Sequence, residues 1–207
     1  MATTITVNDF QNMLSKALER ITERADEFSK LDAILGDGDH GEAIVQAMSA
    51  IVKSSKKNTE FKQMLNDMGF DVMMEVSGST STLLGGFFLG MSDAVEPEKT
   101  EINAQEVKVM FQGGLDGVKK QTKATVGDKT MMDALIPATE AMITCENENI
   151  KTVLETAAQA ATKGAEATVD MKANFGRARN YGERSIGHAD SGAASWSCMF
   201  TAFAEAL

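Results

Sequence analysis

Apolar residues recur at intervals of three and four along most of this chain, which is the spacing that one face of an α-helix produces. The first run extends from about Asn8 to Phe28 and predicts the first helix. Seven further runs follow, at 44–52, 61–76, 83–95, 107–118, 131–142, 150–167 and from about Ala193 to Leu207. No comparable run alternates with a period of two. The pattern therefore predicts eight helices and no β-sheet.

The polar breaks between the predicted helices indicate how the helices are connected. The breaks at 55–59, 96–101 and 146–149 are short, so neighbouring helices are expected to be antiparallel. The chain contains no long linker and no shift in composition that would mark a domain boundary. We therefore expect a single all-α domain over residues 1–207.

Composition and charge narrow the possible functions. The chain has 207 residues with a formal net charge of −10 and no basic tract, which argues against general binding to nucleic acid or to anionic membranes. No apolar run approaches the roughly 20 residues that span a bilayer, so we expect a soluble, cytoplasmic protein. Cys145 and Cys198 lie far apart without CxxC spacing, and we interpret both as thiols of helix cores rather than as disulfide or zinc ligands.

Four connections are rich in glycine and in side chains that carry chemistry. They are Leu31 to Gly41, Ser77 to Gly86, Thr122 to Asp133 and Gly176 to Ser195. In an antiparallel bundle, the connections that follow the first, third, fifth and seventh helices lie at the same end. These are the four connections in question, so the sequence predicts one composite site at one mouth of the bundle.

The first connection carries three aspartates, Asp32, Asp37 and Asp39, within eight residues. A divalent cation would relieve their mutual repulsion, and Mg²⁺ prefers carboxylate oxygens. The alternative is that Asp39 caps the next helix while the other two are solvated. The three glycines at 36, 38 and 41 match G-x-G-x-x-G, but the preceding segment has a helical pattern, which argues against a dinucleotide-binding turn.

The second and third connections offer groups for phosphate oxygens or for helix capping. Ser77 to Thr82 places hydroxyls and backbone N–H groups at the start of a helix expected near Leu83. The same residues would serve equally as an N-cap. Gly127 to Thr130 superficially resembles the end of a Walker A motif but lacks the upstream glycine and strand, and Thr130 with Asp133 predicts a capping box instead.

The fourth connection concentrates positive charge. Arg177, Arg179 and Arg184 are three of only five arginines, and guanidinium groups suit bidentate contacts with phosphate. The alternative is that Arg179 and Arg184 pair with carboxylates to hold the loop, which we expect of at least one of them. Both histidines of the chain, His40 and His188, also fall in these connections.

Three blocks of sequence, LDAILGDGDHG, GDKTMMDALIP and GRARNYGERSIGHADSGAAS, together resemble a known family. The chain is similar over nearly its whole length to the nucleotide-binding L subunit of dihydroxyacetone kinase and to the equivalent C-terminal domain of the ATP-dependent single-chain kinases. The resemblance implies an eight-helix antiparallel barrel with a nucleotide and magnesium site formed by loops at one end. It implies two Mg²⁺ ions, held by Asp32, Asp37 and Asp39, that bridge the phosphates of ADP or ATP. The nucleotide contacts that it implies are His40, Gly41, Ser79, Thr80, Thr122, Met131, Arg177, Asp190, Ser191 and Gly192.

The chain departs from the family pattern at several of these positions. Residues 77–82 are Ser-Gly-Ser-Thr-Ser-Thr where the family usually has Gly-Gly-x-Ser-Gly-Pro, so Thr80 would supply the phosphate-binding hydroxyl and Ser81 stands in place of a glycine. Ala43 replaces a common Asn, Thr122 replaces a Gly next to the adenine, and Ser191 replaces a Pro. We expect metal and phosphate binding to survive these changes, whereas adenine affinity and the choice of substrate are the properties they affect.

The resemblance also implies a function and its partners. It implies a magnesium-dependent phosphotransferase subunit that passes a phosphoryl group to dihydroxyacetone, or a similar short ketose, on a separate K subunit. Arg177 would stabilise the transition state, and no side chain is an evident general base. In the phosphotransferase-system version ADP stays bound and an M subunit rephosphorylates it, which the length of the chain favours; in the ATP-dependent version nucleotide exchanges. The alternative is a nucleotide-sensing regulatory subunit that docks on a transcription factor.

Overall fold

Nine α-helices build the fold in the computed structural model, which describes residues 3–207. They are α1 (Val7–Glu23), α2 (Ala25–Leu35), α3 (His40–Ser55), α4 (Phe61–Glu75), α5 (Ser79–Asp93), α6 (Ala104–Lys119), α7 (Met132–Thr144), α8 (Ile150–Ala167) and α9 (Ser191–Glu205). Two 3₁₀ helices, Thr168–Asp170 and Ala178–Ser185, lie between α8 and α9. Two short strands, β1 (Thr4–Thr6) and β2 (Glu101–Asn103), precede α1 and α6.

Eight of these helices form a closed ring. Helix α1 packs on α3, each helix from α3 to α8 packs on the next one along the chain, and α9 packs on both α8 and α1. Helix α2 continues from the end of α1 and packs mainly on α3 and α9. The prediction of an all-α, eight-helix antiparallel barrel is confirmed, with α1 and α2 together in place of one first helix. Among the helices of residues 3–207, none has both the length and the continuous apolar composition of a membrane-spanning segment.

The first predicted helix is wrong at its end. Helix α1 begins with a capping box between Thr6 and Asp9 and ends at Glu23, because Arg24, the next residue, leaves the helical conformation with ψ of 8°. Helix α2 then runs on to Leu35, beyond the predicted end at Phe28. Only Phe28 and Leu35 of α2 are buried, so this helix lacks the apolar stripe that marks the others. As a result Asp32 lies on a helix and not in a loop.

Helices α5 and α9 begin earlier than their apolar patterns indicate. Helix α5 begins at Ser79 rather than near Leu83, and α9 begins at Ser191 rather than at Ala193. The residues before the apolar runs are small, Ser79 to Thr82 in α5 and Ser191 with Gly192 in α9, and they contribute nothing to an apolar spacing. Each correction moves predicted site residues from a loop onto the amino-terminal turn of a helix.

The start of α7 also differs from the expected capping box. The Asp133 side chain accepts hydrogen bonds from the backbone N–H groups of Thr130 (2.8 Å) and Gly127 (2.6 Å), so it shapes the preceding turn. The Thr130 hydroxyl accepts from Met132 N–H rather than from Asp133. Pro137 lies inside α7, and the helix continues past it to Thr144.

A small antiparallel sheet, which the sequence pattern did not predict, joins the starts of α1 and α6. Ile5 pairs with Ile102, and each strand leads directly into a helix that is capped by Thr6 or Asn103. Three residues are too few to display a period of two, which is why the strands escape a search for alternation. The sheet fixes the end of the ring at which α1 and α6 begin.

Aromatic rings fill the middle of the helical ring. They follow one another in the order Phe61, Phe10, Phe203, Phe111, Phe87 and Trp196, with successive centroids 5.1 to 6.3 Å apart. Tilted and edge-on aromatic pairs of this kind contribute about 0.5 to 1.5 kcal/mol each beyond the area that they bury. Cys198 is buried in this core and Cys145 is half-buried at the end of α7; both are free thiols, as predicted.

Glycines bring the backbones of α5 and α6 into direct contact. Gly86 and Gly90 of α5 face Gly113 and Gly117 of α6. A Cβ atom at position 90 would lie 2.1 Å from the carbonyl oxygen of Gly113, and one at position 117 would lie 2.1 Å from that of Gly86. The contact leaves no room for side chains, so it fixes where α5 lies and therefore where its first residues point.

This contact predicts that Gly90→Ala lowers the free energy of unfolding by about 1 to 3 kcal/mol, since overpacking outweighs the gain of about 1 kcal/mol in helix propensity. Urea denaturation followed by circular dichroism measures the change. Gln105→Ala, on the exposed face of α6, is the control and should change the stability by less than about 0.5 kcal/mol. An unchanged midpoint in Gly90→Ala would show that the two backbones are not in contact.

Candidate functional site

The four glycine-rich connections meet at one end of the ring, as predicted, and line a cavity of about 340 Å³. The wall comprises the last turn of α2 with the turn after it, residues 77–80, residues 129–131, residues 175–178 and residues 189–192. Segments that are far apart in the sequence therefore share one surface. The topology, in which alternate connections return to the same end, brings them together.

Four helices begin at this cavity. His40 at the start of α3, Ser79 at the start of α5, Met131 at the N-cap of α7 and Ser191 at the start of α9 all line it. The first turn of a helix has N–H groups without partners in the helix, and its dipole places partial positive charge there. The cavity of this acidic chain is therefore suited to anions.

Three carboxylates face these helix ends. Each of Asp32, Asp37 and Asp39 offers an oxygen, and these oxygens lie within 4.8 Å of one another. The turn that holds them is built on Asp32, which accepts from the N–H groups of Gly38 (2.8 Å, side chain) and Gly36 (2.6 Å, carbonyl). Carboxylate oxygens are the ligands that Mg²⁺ takes from protein side chains. The donor set fits a divalent cation.

Asp39 occupies the N-cap position of α3, but among the described residues its side chain makes no capping hydrogen bond. The alternative interpretation, that Asp39 caps α3, is therefore wrong. The N–H of Gly41 is bonded instead to the hydroxyl of Ser29, on α2, at 3.2 Å. The Asp39 carboxylate is left facing the other two aspartates.

The start of α5 also lacks a side-chain cap within the described structure. Gly78 precedes it with φ of 113°, a conformation that favours glycine. The hydroxyls of Ser81 and Thr82 donate to the Gly78 carbonyl (2.9 and 3.0 Å), so they do not occupy the first amides of the helix. Ser79 and Thr80 line the cavity.

The arginines of the fourth connection behave differently from one another. Arg177 lines the cavity and forms an ion pair with Asp37, and both side chains are exposed. Within residues 3–207 neither Arg179 nor Arg184 forms an ion pair, so our expectation that one of them would pair with a carboxylate is wrong. The Arg184 guanidinium lies over the ring of Tyr181, 5.8 Å from its centroid.

Lys129, to which our sequence analysis gave no role, holds the fourth connection in place. It is buried in spite of its charge, and its ammonium group donates to the carbonyl oxygens of Thr168 and His188. Burial lowers the pKa of Lys129, against the opposing effect of nearby carboxylates including Asp190. The only signal for this residue in the sequence was a lysine in a glycine-containing turn, which suggested a comparison with the Walker A motif. The structure does not support that comparison, because the ammonium group is already bonded to two backbone carbonyls.

His40 links α3 to α9. Its Nε2 lies 2.9 Å from the hydroxyl of Ser195, and its ring meets Phe28 edge-on with centroids 6.4 Å apart. The Ser195 hydroxyl also donates to the carbonyl of Gly192 (3.0 Å). Burial lowers the pKa of His40 and so favours the neutral imidazole, against the opposing effect of the Asp32 carboxylate.

Two predicted nucleotide contacts, Thr122 and Gly41, do not belong to the described cavity wall. The Thr122 hydroxyl accepts from Ala124 N–H at 3.1 Å, and Gly41 is buried beneath α2. The remaining predicted nucleotide contacts and the three aspartates all line the cavity. Phe175 and Trp196 form an apolar part of the wall that our prediction missed, since neither residue belongs to a recognisable motif.

Comparison with known proteins gives a family for this arrangement. A model of the DAK2 domain matches residues 34–205. The chain belongs to the DAK2 domain family. This confirms the resemblance to the L subunits, because the chain is 33% identical over 190 residues to the ADP-binding subunit of the PEP-dependent dihydroxyacetone kinase of Escherichia coli K12, covering 89% of each chain.

Other relatives of this DAK2 domain show the same similarity. It is 34% identical over 189 residues to the ADP-binding subunit of PEP-dependent dihydroxyacetone kinase 1 of Listeria innocua, covering 90% of each chain. The L-erythrulose 1-kinase of Mycolicibacterium smegmatis is 30% identical over 185 residues, 87% of this chain but 32% of that enzyme. The crystal structure of the C. freundii dihydroxyacetone kinase with AMP-PNP and Mg²⁺ matches 95% of this chain and 33% of that one, with a TM-score of 0.73 and 24% identity. That likeness confirms the fold.

One ionisable group of this DAK2 domain has a strongly altered pKa. Asp190 caps α9 by accepting from Ala193 N–H at 2.7 Å. Burial raises the pKa of Asp190 to about 7, and the carboxylates of Asp133 and Asp32 act in the same direction. Ionisation of Asp190 therefore costs more free energy in the folded protein than in the unfolded chain.

The raised pKa of Asp190 predicts a pH dependence of stability. Because the folded pKa of about 7 lies above the ordinary aspartate value of 3.8, the stability that this group contributes is fully present below pH 4 and is lost as the pH rises to 7. Asp190→Asn keeps a capping oxygen but removes the ionisation. We expect urea unfolding in EDTA to show an advantage of the variant over the wild type that grows from pH 4 to pH 7. A difference independent of pH would contradict the assignment.

Proposed function

We propose that this DAK2 domain is the ADP-binding subunit of a dihydroxyacetone kinase. It binds ADP or ATP with Mg²⁺ in the cavity and passes a phosphoryl group to dihydroxyacetone, or a similar short ketose, on a separate K subunit. The observation that carries the proposal is the meeting of three carboxylates, whose oxygens lie within 4.8 Å of one another, with the amino-terminal ends of four helices. A metal and the phosphates of a nucleotide need these opposite environments side by side.

Asp32, Asp37 and Asp39 would hold the metal, and we propose two ions as in the family. When bound, Mg²⁺ offsets the negative charge of the phosphoryl group that is transferred. The chain's own contribution is to present the carboxylates already close together. The turn built on Asp32, with its bonds to Gly36 and Gly38, holds them there before any ligand arrives.

The helix ends would receive the phosphate oxygens. The amides at the start of α5 lack a side-chain cap in the described structure, and the hydroxyls of Ser79 and Thr80 lie beside them. Ser191 and Gly192, in the first turn of α9, line another side of the cavity. Positioning and electrostatics of this kind supply most of the catalysis in phosphoryl transfer.

The base of the nucleotide requires an apolar surface, which Met131 and Phe175 would supply from the cavity wall. Thr122 has no place in this arrangement, because it is not part of the described wall. Gly41 likewise serves the packing of α3 on α2, since its N–H is bonded to Ser29. Arg177 is the exposed cation at the cavity, and we assign it to the phosphates.

The relatives support a division of labour between subunits. The chain matches 89 to 90% of the separate ADP-binding subunits of E. coli and Listeria innocua but only 31 to 32% of the two erythrulose kinases. The ketose would thus be held elsewhere, and the chain alone should not phosphorylate it.

Because these subunits belong to PEP-dependent kinases, we propose that an M subunit of the phosphotransferase system rephosphorylates the bound ADP. An assay of dihydroxyacetone phosphorylation tests the proposal when the K subunit, the M subunit or free ATP is left out in turn. Phosphorylation without a K subunit would contradict it.

The metal and nucleotide should stabilise the fold together. Mg²⁺ with ADP at about 100 times the Kd should raise the free energy of unfolding by about 2.7 kcal/mol. Asp37→Ala should abolish this gain while the helical circular dichroism spectrum persists, because Asp37 lies in an exposed turn. Asp116→Ala, on the exposed side of α6, is the matched control. Thermal unfolding with and without Mg-ADP measures the gain. If Mg-ADP stabilises Asp37→Ala as much as the wild type, Asp37 is not a ligand of the metal.

Arg177 should contribute directly to nucleotide affinity. A charge-assisted hydrogen bond is worth about 1.5 to 3 kcal/mol, so Arg177→Ala should raise the Kd for Mg-ADP by at least about tenfold. Arg177→Lys should also weaken binding, because lysine lacks the planar fork. Calorimetric titration measures both variants, with Arg184→Lys as the control because Arg184 rests on Tyr181. Equal affinity in Arg177→Ala and the wild type would leave the ion pair with Asp37 as its only role.

A further inference from the structure

We propose that Ser29 is a positioning residue for the metal site. It caps helix α3 from the neighbouring helix α2, and this leaves the carboxylate of Asp39 free to bind a divalent cation. The inference rests on the proposed function for the identity of the ligand, but the capping arrangement is a property of the protein without any ligand.

The hydrogen bond of Ser29 is the one that an N-cap side chain normally makes. Helix α3 begins at His40, so Gly41 is its second residue. The amide of the second or third residue is the usual partner of an N-cap side chain, and aspartate is among the residues that cap best. Here the Gly41 N–H is bonded to the hydroxyl oxygen of Ser29 at 3.2 Å, and Asp39 makes no side-chain cap among the described residues.

A close approach of α2 to α3 makes this exchange of caps possible. A Cβ atom at position 41 would lie 2.0 Å from the carbonyl oxygen of Ala25 and 2.5 Å from the Ser29 hydroxyl. Only glycine therefore allows α2 to reach the first turn of α3. The adjacent contact between the rings of Phe28 and His40 joins the same two helices one residue earlier in each.

The backbone of Asp39 agrees with this arrangement. Its φ of −92° and ψ of −6° differ from the extended conformation that an N-cap residue adopts when its own side chain caps the helix. In this conformation an Asp39 oxygen lies within 4.8 Å of oxygens of Asp32 and Asp37. Asp39 thus has two competing uses, as a helix cap or as a metal ligand, and Ser29 removes the need for the first.

Titration with Mn²⁺, followed by electron paramagnetic resonance, tests the effect on metal affinity. Ser29→Ala leaves the Gly41 N–H without its acceptor, and Asp39 should turn to it. The competition is worth about one helix cap, so Mn²⁺ affinity should fall about fivefold. Ser29→Thr should restore it. Ser15→Ala should leave it unchanged, because the Ser15 hydroxyl donates to the carbonyl of Gln11 within α1. Should Ser29→Ala fail to fold, Ser29→Cys, with its weak acceptor, is measured in the same way.

Urea denaturation in EDTA tests the cap without any metal. Asp39→Ala should leave the midpoint of the wild type unchanged or raise it, because it relieves repulsion among the carboxylates. In the Ser29→Ala background the same substitution should lower the midpoint, because Asp39 would by then be capping α3. An equal shift in both backgrounds, or wild-type Mn²⁺ affinity in Ser29→Ala, would overturn the role of Ser29. Failure of the wild type to bind Mn²⁺ would instead overturn the proposed function and the metal part of this inference, whereas the denaturation result judges the cap by itself.

Discussion

A closed ring of antiparallel helices places the amino-terminal ends of alternate helices at one end, and the site of this protein depends on that constraint. Helices α3, α5, α7 and α9 all begin at the cavity, so partial positive charge accumulates there although the chain carries a net charge of −10. Three aspartates in the turn before α3 place negative charge beside it. The positive helix ends and the negative carboxylates therefore come together without a β-sheet and without the strand–loop–helix motif by which α/β proteins bind nucleotides.

At the carboxyl-terminal ends of three helices, lysines from other parts of the fold bind backbone carbonyls. The ammonium group of Lys62 donates to the carbonyls of Ser92 and Val95 around the end of α5. Lys108 donates to the carbonyl of Cys145 after α7, and Lys129 binds the carbonyl of Thr168 after α8. Cations near the ends of helices interact favourably with the dipole and with otherwise unpaired carbonyls. Three of the chain's lysines are thus committed to structure. One of them, the buried Lys129, lies at the cavity, so Arg177 is the exposed cation on the described wall.

The sequence predicted the features that arise from repeated spacing or from clustered residue types. It did not predict the features that depend on one contact between distant residues. Helical spacing of apolar residues revealed the ring, and the concentration of glycine and charge in four connections revealed which end carries the cavity. Helix α2 escaped because it buries only Phe28 and Leu35, and Asp32 was consequently placed in a loop. The roles of Lys129 and Ser29 depend on which backbone group lies within reach, and no spacing along the chain encodes that distance. For the same reason Thr122 was expected at a wall that it does not join.

The line of aromatic rings ends at the cavity, and this gives the protein an optical property. Trp196 is the only tryptophan in the chain, and it lines the cavity while its ring lies 5.1 Å from that of Phe87. Intrinsic tryptophan emission therefore originates at a single place, on the wall where the ligand would bind. Any change in tryptophan emission when a ligand is added to the unlabelled protein would therefore come from this wall and from no other tryptophan.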